Sequence, residues 1–118
     1  MLTLSPQLRI YVHTVPTDMR KSFDGLSGLV RSVFQADPLD GSLFLFLNRR
    51  RDRVKILYWD RDGLALWCKR LERGTFEIIP AAEGAATIEI DSTQLAMWLG
   101  GVSLTAAAQR RKRYRLTG

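Results

Sequence analysis

Between residues 49 and 73 the chain carries nine Arg or Lys side chains against four Asp or Glu, interleaved with Tyr58, Trp59 and Trp67. Cations neutralise phosphates and aromatic rings offer faces on which bases stack, so this composition is expected where a protein meets a polyanion. The candidate phosphate contacts in the block are Arg49, Arg50, Arg51, Arg53, Lys55, Lys69, Arg70 and Arg73. Arg20 and Lys21 join them, because they stand where a helix is expected to start and backbone amides there also attract anions. A second basic block, Arg110, Arg111, Lys112 and Arg113, completes the set. Each has a plainer reading beside it: a solvated loop for Arg49 to Arg51, helix-surface charge for Arg20 and Lys21, core packing for Trp59 and Trp67.

Other chemistries fit less well. Asp52, Asp60 and Asp62 suggest a Mg²⁺-dependent nuclease, since paired carboxylates hold that ion for phosphodiester cleavage. All three, however, fall in turn-like stretches where aspartate is favoured for bonding its own backbone. His13 has no visible Ser, Cys or Asp partner, so a satisfied structural histidine is expected, and Cys68 within a strand reads as a small buried hydrophobe. Asp18 and Asp24 read as a helix cap and half of a surface pair. Residues 94–111 echo a helix-turn-helix, but Gly101 disturbs the turn and residues 106–111 lack a large apolar anchor. A mobile arm that neutralises phosphates needs neither.

Bulk properties narrow the class. The 118 residues are 46% hydrophobic, enough for one core, and carry 18 basic against 12 acidic side chains, a net charge of +6 with a pI near 10.1. The surplus sits in residues 49–73 and 109–118, so the rest of the chain is net negative. One cysteine excludes an intrachain disulfide, and one histidine leaves no Cys/His set for structural zinc. No secretory pattern opens the chain and no apolar run of about 18 residues occurs. A cytoplasmic protein without cofactor, metal or membrane contact is expected.

The positioning elements follow from the patterning. Residues 9–14 alternate as a short strand that Val15-Pro16 ends. A helix is expected next, capped by Thr17 and Asp18, with Met19, Phe23, Leu26, Val30 and Val33 as its apolar stripe and Arg20 paired to Asp24. Gly25 and Gly28 weaken such a helix unless it packs closely on a sheet. Asp37-Pro38-Leu39-Asp40-Gly41 turns the chain into Leu43-Phe44-Leu45-Phe46-Leu47, a strand buried on both faces. Residues 48–52 read as a loop that places three arginines at a solvent-facing tip. Asp60-Arg61-Asp62-Gly63 reads as a type I turn with the glycine left-handed, which sets Trp59 opposite Leu64, Lys55 opposite Cys68 and Arg53 opposite Arg70. Further strands are expected at residues 75–79 and 87–90. A second helix starts at Ser92 or Thr93, carries Leu95, Met97, Trp98 and Leu99, and stops at Gly100-Gly101.

Several separate blocks also agree, in order and spacing, with a known family. The succession Thr17-Asp18-Met19-Arg20-Lys21-Ser22-Phe23-Asp24-Gly25-Leu26, then Asp37-Pro38 to Phe46, then Lys55-Ile56-Leu57-Tyr58-Trp59-Asp60 with Gly63-Leu64, and Lys69-Arg70-Leu71-Glu72-Arg73-Gly74-Thr75-Phe76 resembles the small accessory protein of bacterial insertion sequences of the sixty-six group. That family is called TnpB, or second-open-reading-frame-like protein, and is distinct from the RNA-guided nuclease of the same name. The resemblance covers roughly residues 5–100; the alanine-rich, then basic stretch at 106–118 departs from it. It implies a role in transposition beside a separate transposase that performs the strand chemistry, and it carries no catalytic residues over.

The combined expectation is an α+β fold: an antiparallel sheet of four to six strands, one long N-terminal helix and a shorter C-terminal helix. Residues 1–104 are read as one domain and 105–118 as a mobile basic tail. The function expected is a non-enzymatic transposition accessory protein whose partners are DNA, at or near element ends, and the transposase. The alternative is an adaptor that docks onto the transposase without touching DNA.

Overall fold

The computed structural model of the protein describes residues 5–79 and 81–104. Strand β1 (Ile10–His13) leads to helix α1 (Phe23–Leu29), which continues as a π-helical turn, Val30–Phe34. Strands β2 (Leu43–Leu47), β3 (Arg53–Asp60), β4 (Gly63–Arg70) and β5 (Thr87–Ile90) follow, then helix α2 (Ser92–Leu99). The architecture is α+β, with strand order β4-β3-β2-β1-β5. The sheet is mixed, which corrects the antiparallel expectation: Ile10, Tyr11 and Val12 of β1 lie parallel to Leu43, Phe44 and Leu45 of β2, and the other neighbours are antiparallel. The helix between β1 and β2 is the cause, because a strand-helix-strand crossover brings the chain back in the same direction.

Both faces of the sheet are covered. Ile10, Val12, Leu43, Leu45, Val54 and Ile56 point to one side, where Phe76 and the α2 residues Leu95 and Trp98 cover them. Phe44, Phe46 and Leu57 point to the other, under Leu26 and Val30. This is why β2 reads as an unbroken apolar run: alternate residues are needed by different cores. The expected stretch at 87–90 and the second helix are found where the patterning placed them. Asp91 caps α2 through a capping box, its carboxylate accepting from the Gln94 N–H and the Gln94 side chain accepting from the Asp91 N–H.

The first helix differs from expectation in start, length and phase. It is 7 residues long against 8 for α2, so the two are not one long and one short. Its N-cap is Ser22. Asp18 instead builds a turn of its own, accepting from the Arg20 backbone N–H at 2.9 Å and from the Arg20 guanidinium, so the expected Arg20 to Asp24 pair gives way to a partner two residues away. The Gln35 N–H bonds back to Val30, a π-type closure, and Gln35 then leaves the helix with φ 52°. A π turn holds more residues than an α turn, so the inward position after Val30 falls on Phe34 instead of Val33. Phe34 accordingly meets Tyr11, His13, Phe44 and Phe46. Gly28 has open space around it, so close sheet packing does not account for that glycine.

The β3 to β4 hairpin has the expected register, with Trp59 opposite Leu64, Lys55 opposite Cys68 and Arg53 opposite Arg70. Its turn residue with positive φ is Arg61, at 56°, while Gly63 already belongs to β4. Residues 75–79 are not a strand. Phe76 and Ile79 lie inward and Ile78 outward, which is not the alternation of a strand, while the Leu71 and Phe76 N–H groups bond to the Asp52 and Arg51 carbonyls. His13 is buried and satisfied as expected, its Nδ1 lying 3.0 Å from the Ala86 carbonyl. Cys68, expected in the core, is exposed, because the Lys69 end of β4 runs out beyond the helix cover.

Candidate nucleic-acid interface

Directly opposed residues of an antiparallel pair share a face, so the register of β3 and β4 puts Arg53, Lys55, Cys68 and Arg70 side by side. Residues 17–21 run along that patch, and Lys55 fastens them to it. Its Nζ donates to the Met19 carbonyl at 2.7 Å and the Lys21 carbonyl at 2.8 Å. Lys55 is therefore a positioning residue as well as a cation. Two clefts adjoin here, sharing Met19 and Arg53. One, of about 430 Å³, is lined by Arg53, Lys55, Cys68, Lys69, Arg70 and Glu72. The other, of about 350 Å³, is lined by Thr17, Asp18, Asn48, Arg49, Arg50 and Asp52.

Asn48 shapes the second cleft. Its Oδ1 accepts from the Asp52 and Arg53 backbone N–H groups, and its Nδ2 donates to the Asp52 carboxylate at 2.6 Å. That bond holds the Asp52 carboxyl below the usual carboxylate range. Sequence reasoning about the arginines missed Asn48; the signal was an asparagine opening a polar loop with aspartate four residues on. The loop is consequently a shaped turn instead of a free tip. Arg49 and Arg50 are exposed, but Arg51, at φ 56°, is half-buried and lines a separate, mostly apolar cleft of about 270 Å³ with His13, Pro16 and Ile78.

Six of the sequence-selected cations thus come together along the two clefts: Arg49, Arg50, Arg53, Lys55, Lys69 and Arg70. Three carboxylates share the lining, namely Asp18, Asp52 and Glu72, so the basic side chains are in twofold excess. Lys69 projects to the opposite sheet face from Arg70 and reaches the Leu99 carbonyl, at the end of α2, at 3.4 Å. Arg70 pairs with Glu72 at 3.4 Å and Arg20 with Asp18 at 2.7 Å. Arg49, Arg50 and Arg53 make no side-chain hydrogen bond or ion pair with any described residue, although Arg53 and Arg50 lie near enough to help hold the Asp52 carboxyl down. Arg20, Lys21, Arg51 and Arg73 line neither cleft, and Arg110, Arg111, Lys112 and Arg113 lie outside the described residues. Trp59 and Trp67 are half-buried, Trp67 against the α2-side core.

The hydrogen bonds from the Arg20 guanidinium hold the Asp18 carboxyl well below its ordinary 3.8, at about 2. A depressed folded value means that this pair stabilises the 17–20 turn fully above pH 3.8 and is lost as pH falls through about 2. Arg20→Ala should therefore move the Asp18 midpoint up toward 3.8, read from its side-chain carboxyl NMR shift against pH. A midpoint left near 2 would show that Arg20 is not the cause.

Among the described residues no group of three or more His, Cys, Asp and Glu side chains gathers as a metal site, and no helix is long and apolar enough to cross a membrane. The model of the IS66 Orf2-like protein family, TnpB, matches residues 8–109. The chain belongs to that family. Two similar members, both from Sinorhizobium fredii, carry the names uncharacterized protein y4hO and uncharacterized protein y4jC. The first is 40% identical over 86% of this chain and 87% of its own length. The second is 36% identical over 93% of this chain and 92% of its own length. No solved structure matches. Membership of the IS66 Orf2-like family supports a role accessory to the transposition of an insertion sequence.

Proposed function

We propose that this IS66 Orf2-like protein assists transposition by holding DNA, without catalysing strand chemistry, along the two clefts beside β3 and β4. The observation that carries the reading is the convergence of five cations, Arg49, Arg50, Arg53, Lys55 and Arg70, on one stretch of surface, three of them, Arg49, Arg50 and Arg53, without an ion pair to any described residue. Neither helix projects from the body as a reading element, since α1 and α2 both pack on the sheet. Contact is therefore with phosphates and specificity for sequence is weak, so selection of element ends falls to the transposase.

Binding of a fluorescent duplex of element-end sequence, followed by anisotropy as salt is raised, tests this directly. Neutralising three to five phosphates should weaken affinity roughly 40- to 500-fold between about 50 and 200 mM salt. Absence of binding at the lower salt, or affinity indifferent to salt, would refute it.

One observation favours the adaptor alternative. The mostly apolar cleft beside Arg51 is flanked by Ile78, which is 62% exposed, so it offers an apolar side chain of a partner protein a place to dock. Capture of the transposase by a protein that ignores DNA at low salt would establish that reading instead.

A further inference from the structure

Strand β4 stands last in the sheet order, so one side of its backbone lies open. It is 8 residues long, against 4 for β5 at the opposite edge. Edges are usually blunted by charge, proline or a bulge. Here the charges come only at the end, in Lys69 and Arg70, leaving Gly63-Leu64-Ala65-Leu66-Trp67 apolar and half-exposed.

We infer that this edge pairs antiparallel with β4 of a second copy of the chain, about a two-fold axis through Leu66. A two-fold perpendicular to the sheet keeps each face continuous, so residues opposed across the axis must belong to the same face. The register centred on Leu66 sets Asp62 opposite Arg70 in both halves, Leu64 opposite Cys68 and Ala65 opposite Trp67. Centring on Trp67 would leave Arg70 opposite Leu64 and Lys69 opposite Ala65, with no compensating charge. Asp62 is exposed and its carboxylate makes no hydrogen bond or ion pair with another described residue, while Arg70 pairs among the described residues with the exposed Glu72 alone. Charge complementarity thus selects both the occupant and the register.

Pairing completes the ladder bonds of β4 and covers Leu64, Leu66 and Trp67. It joins two five-stranded sheets into one of ten strands. The basic clefts then lie on one face at opposite ends, the two Arg70 residues about 27 Å apart along the strands at ~3.4 Å per residue. Only the use of that spacing on DNA rests on the function proposed above; the pairing itself does not.

Sedimentation of the full chain without DNA, across roughly 1–100 µM, should show a concentration-dependent dimer. Arg70→Asp and Asp62→Arg should each weaken association about tenfold or more, and the double variant should restore it. Both positions are exposed, so the fold is expected to persist. Leu66→Cys in a Cys68→Ser background should oxidise to a covalent dimer, because the axis brings the two introduced thiols together. A monomer at every concentration would overturn the inference and leave the edge for a strand of another protein. A dimer indifferent to both single variants, or one the double variant fails to restore, would also overturn it. Loss of DNA binding with dimerisation intact would refute the phosphate reading alone.

Discussion

Trp98→Ala is expected to destabilise the protein by about 3–5 kcal/mol and to lower its melting temperature on the order of 10–20 °C. Three losses combine at this residue. Trp98 is 2% exposed, so truncation leaves a cavity between α2 and the sheet. Its ring stacks on Phe76 with centroids 4.6 Å apart, and Phe76 would lose that cover. Its Nε1–H donates to the Glu77 carbonyl at 2.8 Å, tying the otherwise ladder-free 75–79 segment to the helix. Trp98→Phe separates these contributions, since it keeps most of the ring and deletes the bond, for a cost of about 1 kcal/mol. Thermal melts by circular dichroism provide the measurement. A loss below about 1 kcal/mol for the alanine variant would show that α2 is not integral to the core.

Replacing Arg49, Arg50 and Arg53 together with glutamate is expected to reduce duplex affinity by more than about 10²-fold at ~50 mM salt, and to lower the slope of log affinity against log salt by roughly three. These are the three cleft cations without a hydrogen bond or ion pair to another described residue, so they are the ones available to phosphate. The substitutions leave the loop intact, because Asn48 shapes it through the backbone N–H groups of Asp52 and Arg53 and through the Asp52 carboxylate. Arg73→Glu is the control. Arg73 is exposed but lines neither cleft, so its reversal should change affinity less than about threefold. Equal damage from both would mean that net charge, not the clefts, governs binding.

What could be read from the residues was mostly what sequence neighbours decide. The β3 to β4 hairpin has a short turn, so the register follows from Asp60-Arg61-Asp62-Gly63, and with it the grouping of Arg53 with Arg70. Helix α2 announces itself through Leu95, Met97, Trp98 and Leu99 and through the glycines that end it, while its Asp91 to Gln94 capping box came to light only in the structure. What escaped depends on distant contacts. The parallel partnership of β1 and β2 was implied by the intervening helix but masked by the hairpins that follow. The π turn that brings Phe34 inward answers to an aromatic cluster assembled from β1 and β2. Residues 75–79 read as a strand from their composition, but Phe76 faces inward while Ile78, two positions on, faces out, and the Phe76 N–H bonds to the loop after β2.

The candidate site divides along the same line. Which cations exist is plain in the chain; which are free is decided by neighbours that composition does not reveal. Lys55 is occupied by two carbonyls of residues 36 and 34 positions earlier, and Lys69 by a carbonyl 30 positions later. The basic stretch therefore overstates the charge at the disposal of a ligand, and the short list of Arg49, Arg50 and Arg53 could only come from coordinates.

The seat of β1 between β2 and β5 bears on when the protein can become itself during synthesis. Ile10 must find Leu43 on one side and Ile90 on the other. At roughly 5–20 residues per second, the second neighbour leaves the ribosome about 4–16 s after β1 does. Until then a strand of the finished sheet has one flank bare, and a nascent chain halted before residue 87 would be unable to close it.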